Sequence, residues 1–70
     1  LFNGAFVNQQ ARHFAARLQN EAKTPAAQIE LAYRLALARR PAAAETRTML
    51  AFLRDSSLEQ LARVIFNLNE

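Results

Sequence analysis

The sequence predicts an all-α fold: a compact bundle of four short helices, at about 4–22, 25–39, 43–54 and 57–68. Three observations predict it. Apolar residues recur at i, i+3, i+4 and i+7 along the chain, the spacing of one buried helical face. The pattern is interrupted three times, at Thr24-Pro25, at Pro41 and at Asp55-Ser56-Ser57, each a helix stop or start signal. No segment shows the alternating pattern of a strand.

The first helix starts at Asn3, a residue that caps well. Phe2 before it and Val7 after it have the spacing of a hydrophobic staple. Val7, Ala11, Phe14, Ala15, Leu18 and Ala22 then form the buried face. Thr24 caps the second helix, and Pro25 takes its first position, where the missing N–H is not needed. Ile29, Ala32, Tyr33, Ala36 and Leu37 make its stripe, and Leu31, Leu35 and Ala38 widen that stripe almost around the rod. A helix apolar on most sides must be covered on most sides, so this helix is expected at the centre of the bundle. Glu30 and Arg34 are spaced as an i,i+4 ion pair. Pro41 is expected to end the helix, because the residue before proline is pushed out of the α region.

The third helix has half of a capping box: Glu45 is in place, but Ala42 stands where Ser or Thr is expected. Thr46, Met49, Leu50 and Leu53 form its buried stripe, with Phe52 beside it. Ser56-Ser57-Leu58-Glu59 reads as a full capping box for the last helix. That helix is expected to bury Leu58, Leu61, Ala62, Ile65 and Leu68, flanked by Val64 and Phe66.

Seventy residues allow one domain at most, and a 51% apolar fraction is enough for one core. There is no cysteine, which excludes disulfides and thiolate metal sites. No apolar run approaches the roughly 18 residues of a membrane span. The chain begins at Leu1 and not at Met, and is expected to be a single helical module cut from the C-terminal end of a larger protein. The net charge of +3 permits an acidic partner, but the nine basic residues are spread along the whole chain. Nucleic-acid binders more often cluster them on one face.

Side chains able to do chemistry are few. His13 is the only histidine and lies off the main apolar face, so a rim position is expected and no metal or cofactor site is indicated. Glu45 and Glu59 are accounted for by capping, and Glu30 by Arg34. Four short helices leave little room for the pocket that separates the pKa values of a catalytic acid pair. Ser56 and Ser57 lack the G-x-S-x-G context of a nucleophile. The single glycine excludes a phosphate-binding glycine loop. The chain is therefore expected not to be an enzyme and to have no catalytic residue.

Several spaced pieces resemble one family. They are Leu1-x-Asn3-x-x-Phe6-Val7-x-x-x-Ala11, then Ala16-Arg17-Leu18, and then Ile29-x-x-Ala32-Tyr33-Arg34-Leu35-Ala36-Leu37-x-Arg39-x-Pro41-x-x-x-Glu45. The last piece is Leu61-Ala62-Arg63-Val64-Ile65-x-Asn67-x-Asn69-Glu70. In this order they resemble the C-terminal end of the planctomycete-specific domain of unknown function, which commonly follows a planctomycete cytochrome c domain. The resemblance extends over essentially all of the chain. Two positions depart from the pattern: Ala38, where the family often has Gly, and Ala42, where it often has Thr or Ser. The resemblance implies no activity and no cofactor. The haem-binding Cys-x-x-Cys-His of the cytochrome domain is absent from this chain, and an extracytoplasmic setting is implied by the usual parents.

The function expected is that of a non-catalytic helical module, structural or protein-interacting, within a larger exported bacterial protein. Its partner would be another part of the parent or a separate subunit. Phe2, Phe6 and Phe66, together with Arg39 and Arg40, are the expected interaction surface. The alternative is a small basic nucleic-acid-binding domain using Arg39, Arg40 and Arg47.

Overall fold

A computed structural model of the chain describes residues 4–69. They form four α-helices: α1 (Gly4–Glu21), α2 (Pro25–Leu37), α3 (Ala43–Asp55) and α4 (Leu58–Leu68). The expected all-α bundle is thus the observed one, and no strand occurs among the described residues. Phe2 and Asn3, the expected staple and cap of α1, lie outside the described residues.

Local chemistry sets most boundaries where the sequence places them. The Thr24 hydroxyl accepts a hydrogen bond from the Ala27 N–H at 3.2 Å, and Pro25 opens α2. The last helix starts one residue later than expected. Its cap is Ser57, not Ser56, and the reciprocal partner is Gln60, not Glu59. Ser57 Oγ accepts from the Gln60 N–H, and Gln60 Oε1 accepts from the Ser57 N–H, both at 3.2 Å. Glu59, relieved of capping, lies 3.5 Å from Arg63 one turn on. One contact had no sequence signal. Gln28 Nε2 donates to the carbonyl of Ala22 at 3.1 Å, satisfying one of the acceptors left open where α1 ends.

The core is built by three of the four helices. Leu18 of α1, Ile29, Ala32 and Tyr33 of α2, and Leu61 and Ile65 of α4 form one fully buried cluster. Each large side chain there contributes about 1.5–3 kcal/mol of burial. α1 and α4 share the most extensive contact. Phe14 and Phe66 pack across it with ring centroids 5.4 Å apart, and Arg63 donates to Asn8 Oδ1 at 2.6 Å.

Several expectations about burial are corrected. On the expected buried face of α1, Ala11, Leu18 and Ala22 are buried but Val7, Phe14 and Ala15 are half-buried, and on α4 Leu58 is half-buried. The stripe of α3 is not buried: Thr46, Met49, Leu50, Phe52 and Leu53 are all half-buried, and no residue of α3 is fully enclosed. This helix packs on α2 and α4 and makes no contact with α1, so it covers the cluster from one side only. The wide stripe of α2 is not covered on most sides either. Although α2 touches all three other helices, Leu35 is 39% exposed and Ala38 is exposed. Leu68, at the last turn of α4, is 52% exposed. Among the described residues no helix is long and apolar enough to cross a membrane.

Candidate functional site

The residues that make up the central motif meet at the turn between α2 and α3. α2 does not run to Pro41; it stops at Leu37. Ala38 adopts a left-handed conformation (φ 56°, ψ 33°), and its N–H donates to the Arg34 carbonyl at 3.2 Å. This is a left-handed helix cap, normally built with Gly because a Cβ is crowded there. The helix therefore ends four residues before the proline that was expected to end it.

The reversal at Ala38 sends Arg39 back over the helix it has just left. Its guanidinium carbon lies 5.2 Å from the centre of the Tyr33 ring, a cation–π distance. Nη1 and Nη2 then donate to Glu45 Oε1 and Oε2, each at 2.8 Å, in a two-point fork. Glu45 Oε1 also accepts the Ala42 N–H at 2.8 Å, the half of a capping box that the sequence provides. Glu45 thus closes the start of α3 and holds the end of α2 at the same time. Its carboxyl is pulled from the usual 4.5 down to about 2, first by the hydrogen bonds from Arg39 and then by the one from Ala42. Tyr33 is fully buried, and its hydroxyl finds no hydrogen-bond partner among the described residues. Burial raises its pKa above the usual 10.0, with the Glu45 charge adding to the rise.

Ala38 and Ala42 both fall on cap positions of this turn. Ala38→Gly removes a left-handed strain of roughly 1–2 kcal/mol against a backbone entropy cost of about 0.5–1 kcal/mol. It is expected to stabilise the chain by about 0.5–1 kcal/mol in urea unfolding. Ala42→Ser supplies the missing acceptor for the start of α3 and is expected to add about 1 kcal/mol in the same assay. Tyr33→Phe keeps the ring under Arg39 and removes an unpartnered buried hydroxyl. Its expected effect is a gain of up to about 1 kcal/mol, where an ordinary core Tyr→Phe that breaks a hydrogen bond loses stability.

The other expected site residues are dispersed. Arg40 does not join this clamp; it lies 3.8 Å from Glu30, the carboxylate expected to pair with Arg34. Arg47 is exposed on α3. Phe6 is 45% exposed near the start of α1, whereas Phe66 is half-buried against Phe14. Phe2 lies outside the described residues. His13 is exposed on α1. No group of three or more metal-binding side chains comes together among the described residues. A shallow open groove of about 380 Å³ lies where α1 meets α2, lined by Glu21, Lys23, Glu30, Leu31 and Arg34, among others. It has charges of both signs and no buried polar group.

A small helical module with a motif folded back onto its own turn is the class of protein that this geometry defines. The chain belongs to the PSD1 family, proteins of unknown function (DUF1553), whose family model matches residues 1–53. The matched stretch takes in α1, α2 and most of α3, including every member of the Tyr33–Arg39–Glu45 clamp. It is shorter than the expected resemblance over essentially the whole chain, since α4 lies outside it. No curated protein and no solved structure matches the chain.

Proposed function

We propose that this chain is a non-catalytic helical module with a structural or protein-interaction role inside a larger, exported bacterial protein. The observation that carries the reading is the use to which the central motif is put. Tyr33, Arg39 and Glu45 are the most distinctive residues of the sequence pattern, and their side chains are spent on one another. A motif with a catalytic or ligand-binding purpose would point its functional groups at an accessible cleft. The exported setting rests on the family resemblance alone.

The partner in this reading is another domain of the parent, with Phe6 at the contact. The test is titration of the remaining parent protein into the isotope-labelled chain, followed by amide chemical shifts. Shifts gathered around Phe6 and weakened by Phe6→Ser support the reading. Saturation with no shift anywhere on the chain overturns the interaction role. A labelled DNA duplex at physiological salt serves as the second titrant. Tight binding there, lost in the Arg40→Ala, Arg47→Ala double variant, would replace the reading with a nucleic-acid one.

A further inference from the structure

We infer that α3 is a hinged flap, opening from an intact core of α1, α2 and α4 and latched shut by Arg39 and Glu45. Four observations converge on it. The fully buried cluster takes residues from α1, α2 and α4 and none from α3. Met49, Leu50, Phe52 and Leu53 rest on that cluster half-buried, so α3 covers the core without completing it. It makes no contact with α1, and its attachment is confined to α2 and α4. Its first turn is tied to the end of α2 by the Arg39–Glu45 fork, whose two side chains are 49% and 32% exposed.

Elements with few enclosed apolar contacts open at lower free energy than the core they cover. The turn at residues 38–42 and the break at Ser56-Ser57 bound α3 on both sides and serve as hinges. The open form presents the apolar stripe of α3 and the face of the core beneath it. The flap rests on the packing of α3 and on the Arg39–Glu45 fork, and it does not depend on the proposed partner.

The test is amide hydrogen exchange, read residue by residue, on the 70-residue chain. Two variants separate opening of α3 from global unfolding. Phe14→Leu weakens the α1–α4 contact from the α1 side, and α1 makes no helix–helix contact with α3. It is expected to speed the slowest amides of α1 and α4 by up to about tenfold and to leave the α3 amides within about twofold. Glu45→Gln breaks the latch and is expected to speed the α3 amides several-fold. The same separation appears without any variant in low urea. Core amides accelerate steeply with denaturant and α3 amides only slightly, because opening one helix exposes less surface than unfolding the chain. α3 amides that accelerate in step with the core in Phe14→Leu, or that share its urea slope, overturn the flap.

Discussion

Leu18→Ala is expected to lower the stability of the chain by about 2–5 kcal/mol, the range for emptying a fully enclosed leucine site. Leu18 has no exposed surface and packs in the one cluster that α1, α2 and α4 share. A chain of 70 residues has roughly 3.5–10 kcal/mol to lose at about 0.05–0.15 kcal/mol per residue. The variant should therefore melt at least about 8 °C below the unsubstituted chain in a circular-dichroism scan, each 1 kcal/mol being about 4–8 °C at this size. Part of the population is expected to be unfolded at room temperature.

The comparison that gives this result meaning is Leu35→Ala. Leu35 also belongs to the stripe of α2, and by sequence alone it ranks with the core. In the structure it is 39% exposed. Truncating it removes apolar surface that is still partly in water and installs the best helix former, so the expected change is under about 1 kcal/mol. Equal losses at Leu18 and Leu35 would mean that α2 is enclosed on all sides, contrary to the packing described above.

What the sequence revealed and what it hid follow from the range of each interaction. Thr24, Pro25 and the helical periodicity act within one or two turns, and each element they announce is present. The end of α2 was misplaced because the left-handed cap falls on Ala38. An alanine gives no sign of that conformation, whereas a glycine would have announced it. The α4 cap slipped by one residue because Ser56 and Ser57 are followed, three residues on, by Glu59 and Gln60 respectively. Either pair could have made the box. The stripe of α3 reads like that of α1, since periodicity shows which face turns inward and not how much lies on the other side of it. The clamp was present in the sequence only as a spacing. Tyr33, Arg39 and Glu45 are six residues apart in turn, and six residues define no common face of a helix. The left-handed turn at Ala38 brings them together.

Acid should undo this clamp, and the pH at which it does so follows from Glu45. In the unfolded chain its carboxyl titrates near the usual 4.5; in the folded chain it titrates at about 2. Between those values the unfolded chain binds the proton and the folded chain does not, so protonation favours unfolding. The stabilisation from the Arg39–Glu45 fork is thus present in full above about pH 4.5 and is lost as the pH falls towards about 2. Urea midpoints measured from neutrality down to about pH 2, in the parent chain and in Glu45→Gln, isolate this carboxyl from the others. Glutamine still accepts the Ala42 N–H but offers Arg39 no charge, and it does not titrate. The parent should be the more stable at neutral pH, and the gap should close as the acid end is approached. Salt should narrow the gap at neutral pH, since a fork this exposed is screened. Two curves that stay parallel down to the acid end would show that the short, two-point geometry stabilises the folded state no more than a neutral cap does. The turn would then be held by the Ala38 reversal and the packing of Tyr33, and the latch assigned to α3 would have to be placed there instead.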